Sequence, residues 1–349
     1  MNRAFIDIIA AAPGERRDLF LGAARRLGTT EQNIEKDFWV CWTLDALFTG
    51  APVDRPGLLF KGGTSLSKAF GLIERFSEDI DITIFRADLG YPAEVEELER
   101  LSRKQRGKRL DAIKKACQRY VHAQLLTGIQ AVIDETARAA GFSESQLRAA
   151  PDDEDPDRQT LLVWYPTATP ADRYVRQAIK IEAGAKSALD PCLEVSVRPY
   201  LASDIERLNL DVAHITAVAP ERTFWDKVII IHGQRFWFER RGSLQNLGQR
   251  VSRHYYDVYR LLQSDVGQAA LHDKKLAHDC ARHARVFFSR PDLGLDCALP
   301  GTFALTPASG MLPALRRDFT RMSGMIMGPV PTFEEVIAKL TEFERVVNG

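Results

Sequence analysis

The sequence lacks the features that define several common classes of protein. Its 349 residues contain no run of about 18 uncharged apolar residues, the length that a membrane-spanning helix needs. Its five cysteines are scattered and never spaced as C-x-x-C, which argues against a disulfide framework and a cysteine-bound zinc site. The net charge is zero, because 47 Lys and Arg balance 47 Asp and Glu. We therefore expect a soluble cytoplasmic protein with one large domain or two packed domains.

Common catalytic motifs are missing as well. The seven histidines form no H-E-x-x-H or comparable spacing, and neither G-x-x-x-x-G-K-[ST] nor G-x-G-x-x-G occurs. These absences disfavour zinc hydrolases, P-loop proteins and Rossmann-type dinucleotide-binding proteins. The charges are unevenly distributed: nine Lys or Arg lie between Arg100 and Arg119, whereas the segment from Asp152 to Asp157 is almost purely acidic.

Hydrophobic periodicity predicts a mixed α/β (α+β) chain. The expected helices are Thr30–Phe48, Thr64–Leu72, Ala93–Ala140 with divisions at Gly107 and Gly128, Pro220–His232 and Val251–Leu262. The expected strands are Leu58–Lys61, Asp79–Phe85, Leu161–Tyr165, Tyr174–Glu182 and Glu194–Tyr200. We expect a mixed-sheet catalytic domain at 1–215, with a long helical insertion at about 93–140, and a mostly helical domain at 216–349.

Two short segments carry the strongest chemical signal. In Phe60-Lys-Gly-Gly-Thr-Ser-Leu-Ser-Lys68, a diglycine turn joins a strand to a helix, and such turns can bring main-chain N–H groups to a phosphate. In Ser77-Glu-Asp-Ile-Asp-Ile82, strand geometry places Asp79 and Asp81 on one face, about 7 Å apart. These carboxylates repel each other unless a cation such as Mg²⁺ lies between them. A tight turn and solvated aspartates would explain each segment alone, but together they predict a nucleoside-triphosphate site.

Glu182 is a candidate third carboxylate. It shares a face of its strand with Lys180, so a metal ligand and a salt bridge on a half-exposed strand are equally good interpretations.

At these residues the chain resembles the nucleotidyltransferase-fold toxins of the AbiEii/AbiGii family, which includes the mycobacterial MenT toxins. The resemblance also covers other segments in the same order along the chain: Ile34-Glu-Lys-Asp-Phe-Trp-Val40, the strand ending at Glu182, Glu221-Arg-Thr-Phe-Trp-Asp-Lys227, Arg253-His-Tyr-Tyr-Asp-Val-Tyr-Arg-Leu261 and Leu315 to Asn348. It implies a nucleotidyltransferase-fold sheet, transfer of NMP from an NTP, Mg²⁺ or Mn²⁺ as cofactor, a cognate antitoxin and a role in phage defence.

The resemblance also implies roles for individual residues. Asp79 and Asp81 would bind the metal, with Glu182 in place of an aspartate as the third acid. Lys227 and Asp257 match a lysine and an aspartate that the family needs for activity. The triphosphate would be held by Lys227 and by four turn residues: Gly62, Gly63, Thr64 and Ser65.

Plainer interpretations of the helical candidates stay open. Lys227 is also compatible with a snorkelling surface lysine, and Asp257 with an i,i+4 ion pair to Arg253. With the family resemblance, we favour a site in which Asp257 orients Arg253 or Lys227. The triplet Glu35 to Asp37 fits a cleft lining and a solvated helix face equally well.

The acceptor is expected to be an RNA. Basic side chains bind phosphates, aromatic side chains can stack on unpaired bases, and family members add nucleotides to tRNA acceptor ends, which blocks charging and inhibits translation. The alternatives are a protein or small-molecule acceptor, and a non-catalytic nucleic-acid-binding member of the fold. The candidate RNA-binding residues are Arg100, Arg103, Lys104, Arg106, Lys108, Arg109, Arg240 and Arg241.

Overall fold

The computed structural model describes residues 1–50, 55–143, 146–170, 177–205 and 207–349. The α-helices in these ranges are α1 (Arg3–Ala10), α2 (Pro13–Leu27), α3 (Glu31–Phe48), α4 (Gly62–Lys68), α5 (Val95–Arg100), α6 (Arg103–Tyr120), α7 (Leu126–Ala140), α8 (Pro220–Arg241), α9 (Ser252–Leu261), α10 (Asp265–His272), α11 (Lys274–Phe287), α12 (Leu312–Ser323) and α13 (Phe333–Asn348). The strands are β1 (Leu58–Lys61), β2 (Asp79–Ile84), β3 (Arg148–Pro151), β4 (Thr160–Trp164), β5 (Ala178–Gly184), β6 (Cys192–Val197) and β7 (Val212–Val218).

The chain divides into two compact units, and each contains segments that are distant in sequence. The first unit comprises Met1–Ala69, Phe76–Ala93 and Arg103–Ala217. The second comprises Phe70–Arg75, Glu94–Ser102 and Val218–Gly349.

A mixed sheet forms the centre of the first unit, in the strand order β3-β4-β5-β2-β1-β7-β6. The central strand β2 runs antiparallel to β1 and parallel to β5. Its residues Ile80, Ile82 and Ile84 are fully buried, whereas Asp79 and Asp81 on the other face are half-buried. The sheet confirms the predicted mixed α/β fold, and β2 confirms the predicted alternation.

The helix α3 runs through the core of the first unit. It begins as predicted after Thr30, whose side chain accepts a hydrogen bond from the main-chain N–H of Asn33. Nearly all of its side chains are buried, including Trp39 and Trp42, and it contacts α2, α7, β2 and β5. The charged residues 35–37 are buried too, so the solvated helix face that the sequence allowed is wrong.

The second unit is mostly helical, and α8 is its central helix. This helix starts at Pro220 as expected but continues beyond His232 to Arg241. It contacts α9, α10 and α11, and its Trp225 stacks on Phe303 with ring centroids 5.9 Å apart.

Two sequence expectations fail for identifiable reasons. Gly107 and Gly128 do not divide the long helical region but lie inside α6 and α7, because a single glycine weakens a helix by only about 1 kcal/mol. The chain instead leaves the helix at Leu101, and a π-helical turn covers Val121–Leu125. The strand β7 was not predicted. His214 in this strand has a positive φ of 58°, and the alternation of buried and exposed side chains that marks a strand is interrupted there.

The expected strand Tyr174–Glu182 is confirmed from Ala178 onward, where β5 begins. Its first residues, 174–176, lie outside the described residues.

Candidate active site

One face of the sheet carries a cluster of charged side chains from three neighbouring strands. In the paired register, Asp79 of β2 lies beside Lys180 of β5, and Asp81 lies beside Glu182. On the other side of β2, Asp81 lies beside Lys61 of β1. Residues paired on neighbouring strands point to the same face, so these five residues form one group, here called the charged sheet face.

The charged sheet face contains more carboxylates than ammonium groups. Lys180 Nζ lies 2.6 Å from Glu182 Oε1, and Lys61 Nζ lies 3.9 Å from Asp81 Oδ1. Burial lowers the pKa of Lys180, but the hydrogen bond and charge of Glu182, together with the charge of Asp79, outweigh burial and raise this pKa. The face therefore favours a cation.

The diglycine turn touches this face directly. Gly62 has a φ of +82°, which residues other than glycine rarely adopt. A Cβ added there would lie 2.2 Å from Asp81 Oδ2. The carboxylate of Asp81 therefore packs against the backbone of Gly62. The structure thus brings together the two sequence motifs that predicted a nucleotide site.

The hydroxyl groups of the turn bond within the protein. Thr64 Oγ1 donates to the main-chain carbonyl of Asp79 and lies 2.9 Å from Ser77 Oγ. Ser65 Oγ donates to the carbonyl of Gly62 at 3.0 Å. Both side chains are fully buried, and these bonds join the turn to the start of β2. Their expected contact with a triphosphate stays a prediction.

A second charged cluster lies within the second unit and consists of Arg75, Lys227 and Asp257. Arg75 binds the carboxylate of Asp257 through two hydrogen bonds of 2.7 and 2.8 Å. Lys227 Nζ, from α8, lies 2.8 Å from Asp257 Oδ2 on α9. We call this group the buried triad, because all three side chains are at most 7% exposed.

The electrostatics of the buried triad follow from its two cations and one anion. Burial raises the pKa of Asp257, but the charges of Arg75 and Lys227 outweigh burial and hold this pKa well below its usual value. Burial lowers the pKa of Lys227, and Asp257 offsets only part of this effect while the Arg75 charge adds to it. Asp257 thus holds Lys227, one of its expected partners. Arg75 was missed, because nothing in the sequence links residues 182 positions apart.

The structure fits a metal held by few protein ligands. Among the described residues, no group of three His, Cys, Asp or Glu side chains is arranged to hold a metal ion. Asp79 and Asp81 still offer two carboxylates on one face, which suits Mg²⁺ that keeps water and phosphate oxygens as its other ligands. Glu182 is paired with Lys180, so its expected role as a third ligand stays a prediction.

The predicted RNA-binding residues differ in their exposure and in the bonds that they make within the protein. In α6, Arg103, Lys104 and Lys108 are exposed, whereas Arg106 and Arg109 are half-buried, with Arg109 donating to the carbonyl of Pro92. The acidic loop contacts the same helix, since Lys114 Nζ lies 2.5 Å from Asp157 Oδ1.

The candidate basic residues of the second unit are all exposed. Arg100 is the last residue of α5. Arg240 bonds the carbonyl of Pro291, and Arg241 pairs with Asp292.

A mixed sheet in which a diglycine turn meets a two-aspartate strand is the arrangement expected of a nucleotidyltransferase. Residues 45–339 match the sequence profile of the family described as nucleotidyl transferase AbiEii toxin, type IV TA system. This match covers most of the chain. The protein therefore belongs to the AbiEii nucleotidyltransferase toxin family of type IV toxin–antitoxin systems, which implies an NTP substrate and an antitoxin partner.

Other comparisons give weaker likenesses. No curated protein matches the chain. Among solved structures, the chain is similar to MenT4, a nucleotidyltransferase toxin from Mycobacterium tuberculosis, with 13% sequence identity and a TM-score of 0.41. That alignment covers 95% of this chain and 99% of MenT4. In the described part of the chain, no helix is both long enough and apolar enough to span a membrane.

Proposed function

We propose that this toxin transfers a nucleoside monophosphate from an NTP to the 3′ end of an RNA, and that its target is the tRNA acceptor end. The observation that carries the proposal is the contact between the diglycine turn and the charged sheet face, where Asp81 packs against Gly62. Modification of that RNA end would block aminoacylation and so inhibit translation. The role in phage defence that the family resemblance implies would then act through this inhibition of translation.

The proposed chemistry is an in-line displacement at phosphorus. The RNA 3′-hydroxyl oxygen loses its proton to water and forms a bond to the α-phosphorus. The bond from that phosphorus to the oxygen that bridges the α- and β-phosphates breaks, and pyrophosphate leaves with the electron pair. Asp79 and Asp81 would hold Mg²⁺ or Mn²⁺, which when bound neutralises charge on the phosphates. The backbone at Gly62 and Gly63 would contact the triphosphate.

Lys227 and Asp257 are proposed to be required for activity, as the family resemblance implies. In the structure they are already paired with each other, which fixes the position of the lysine. Two cations share the single carboxylate of Asp257, so the buried triad carries excess positive charge and would favour an anion.

The exposed cations of α6 support an RNA acceptor. Arg103, Lys104 and Lys108 present their charge to solvent, where phosphates can reach it. The remaining candidates are proposed to contribute less to RNA binding, because each is half-buried, is bonded within the protein or is isolated from the other candidates on its helix. They are Arg100, Arg106, Arg109, Arg240 and Arg241.

Label transfer tests the proposal. The purified protein is incubated with each α-labelled NTP, total RNA and Mg²⁺. The variant Asp79→Asn is assayed in parallel with the control Asp18→Asn, which makes the same change at an exposed position of α2. We expect label at RNA 3′ ends with the wild type and the control, and none with Asp79→Asn or after chelation of the metal. Label on a protein or a small molecule would reject the RNA acceptor. Absence of NTP binding in calorimetry would reject the enzyme altogether.

A further inference from the structure

Three successive residues of α3 carry buried charges that the proposed chemistry does not use. Glu35, Lys36 and Asp37 are only 2–3% exposed, in a helix whose other buried positions are apolar except for Thr43 and Asp45. Charged side chains are almost never buried to this extent without a partner. Each of the three has partners on a different segment of the first unit. Those of Glu35 are the hydroxyl and amide groups of residues 167–169.

Asp37 binds the end of the helix that follows the diglycine turn. Its Oδ1 lies 2.6 Å from Nζ of Lys68, the last residue of α4, and its Oδ2 accepts from the N–H of Tyr200 at 2.6 Å. The ammonium group of Lys68 also lies 3.6 Å from the centre of the Tyr200 ring. Burial lowers the pKa of Lys68, but Asp37 outweighs burial and raises it, so the ammonium group stays charged.

Lys36 binds the segment that leads into β2. Its ammonium group pairs with the carboxylate of Glu78, the residue immediately before Asp79. Lys36 is almost completely buried, whereas the Glu78 side chain is 21% exposed. One helix therefore holds both the start of the two-aspartate strand and the end of α4.

The turn helix α4 and the start of β2 are also bonded directly to each other. Thr64 of α4 bonds to Ser77 and to the carbonyl of Asp79, so the turn helix and the strand are joined to each other as well as to α3. Groups that bind a metal and a phosphate must be held within a fraction of an ångström to act together.

We propose that Lys36 and Asp37 are positioning residues that hold the Gly62 turn and the two aspartates of β2 in register for NTP and metal binding. The inference rests on the proposed nucleotide site and extends it to residues that touch neither substrate nor metal. A purely stabilising role is the competing explanation. The two explanations differ because replacing both partners of a buried ion pair by uncharged residues is often neutral for stability.

The first test removes the Asp37–Lys68 charges together. The double variant Asp37→Asn with Lys68→Met keeps an acceptor for the Tyr200 N–H and most of the lysine stem. We expect unfolding in urea close to that of the wild type and NTP affinity in calorimetry weakened by about 10-fold or more, the range typical of residues that support ligands. Wild-type affinity in the folded double variant would overturn the proposal.

The second test uses Lys36, whose removal leaves Glu78 accessible to water and so avoids a buried unpaired charge. In Lys36→Met, the metal concentration that half-saturates NTP binding should rise about 10-fold, and Lys36→Arg should restore it. An unchanged metal requirement in Lys36→Met would contradict the proposal.

The matched control is Arg17→Met. It removes a partly exposed ion pair between Arg17 of α2 and Glu31 of α3, the helix that carries Lys36 and Asp37. Arg17 Nη2 and Glu31 Oε1 are 3.1 Å apart, and the substitution should leave both measurements unchanged. Since calorimetry needs no acceptor, both tests remain valid if label transfer to RNA fails. Failure of the proposed function and failure of this inference are therefore distinguishable.

Discussion

The charged sheet face and the buried triad both combine carboxylates with cationic side chains but differ in solvent access. Asp81 and Glu182 on the sheet are 26% and 39% exposed, whereas Asp257 is completely buried. On the sheet, carboxylates are in excess, and the nearest ammonium group to Asp81 is 3.9 Å away. In the buried triad, two cations bind both oxygens of a single carboxylate.

The difference indicates different physical roles. Half-exposed carboxylates that outnumber the neighbouring ammonium groups can exchange water for a metal ion at lower cost than a fully buried carboxylate can. A buried carboxylate that is fully bonded to protein cations holds those cations in place, and its loss leaves them without a counter-charge. Substitutions on the sheet should therefore affect activity, whereas those in the buried triad should first affect stability.

The largest expected effect is that of Asp257→Asn on stability. The amide leaves Arg75 and Lys227 buried without a counter-charge, so the free energy of unfolding in urea should fall by about 3–5 kcal/mol at pH 7. The control Asp279→Asn makes the same change on an exposed residue of α11 and should stay within about 0.5 kcal/mol of the wild type. Equal stabilities of both variants would show that the triad is not a stabilising unit.

The ion pairs of Asp257 also predict that the stability of the protein depends on pH. The folded-state pKa of Asp257 lies well below its usual value, so its stabilisation is present above about pH 4 and is lost as pH falls further. The stability difference between wild type and Asp257→Asn should thus be constant from pH 7 to 5 and shrink toward pH 3. A constant difference down to pH 3 would contradict the assignment.

Asp79→Asn and Asp81→Asn should have the next largest effect, and on activity alone. Loss of one metal-binding carboxylate is expected to lower kcat/KM for the NTP on the order of 10³-fold. The free energy of unfolding should stay unchanged or rise slightly, since each substitution relieves repulsion on the charged sheet face. Kinetics and urea unfolding on the same preparations check both parts, and a variant that loses stability and activity in parallel would contradict the comparison.

Gly62→Ala tests the contact between the turn and the sheet. The new methyl group would collide with the Asp81 carboxylate and would force a strained φ, which together should cost about 1–3 kcal/mol and lower NTP affinity. Gly184→Ala is the control, because Gly184 ends β5 with open space around its Cβ position. Thermal unfolding and calorimetry should separate the two variants, and identical behaviour would place Asp81 away from the turn.

Glu182 can be tested through its partner. If Glu182 contributes to metal binding, Glu182→Gln should raise the metal concentration for half-maximal activity by about 10-fold. Lys180→Met frees the carboxylate from its ion pair and should lower the same concentration. Opposite shifts of this metal concentration in the two variants would support Glu182 as a third metal ligand. An unchanged concentration in Glu182→Gln would show that Glu182 serves only as the partner of Lys180.

The smallest effect is expected from the exposed basic residues. Arg103→Glu with Lys104→Glu should weaken RNA binding a few-fold and reduce its salt dependence, without changing NTP affinity. The control Lys274→Glu with Lys275→Glu makes the same charge change on α11. Equal RNA binding by both double variants in a salt titration would remove α6 from the RNA site.

The sequence predicted the parts of the fold and site that depend on local periodicity. The alternation around Ile80 and Ile82 gave β2 and its face of aspartates, and the diglycine motif gave the turn. The sequence did not predict Arg75 as the partner of Asp257 or the burial of Lys36, because both depend on residues far away in the chain. The irregular backbone at His214 likewise leaves no signal in a pattern of period two.

The most direct test of the central claim is a Mn²⁺ titration followed by electron paramagnetic resonance, in the presence of a non-hydrolysable NTP analogue. The charged sheet face beside Gly62 is proposed to hold the metal together with the triphosphate. The wild-type protein should bind Mn²⁺ more tightly with the analogue than without it, and Asp79→Asn with Asp81→Asn should abolish this binding. Undiminished analogue-dependent Mn²⁺ binding by the folded double variant would contradict the account.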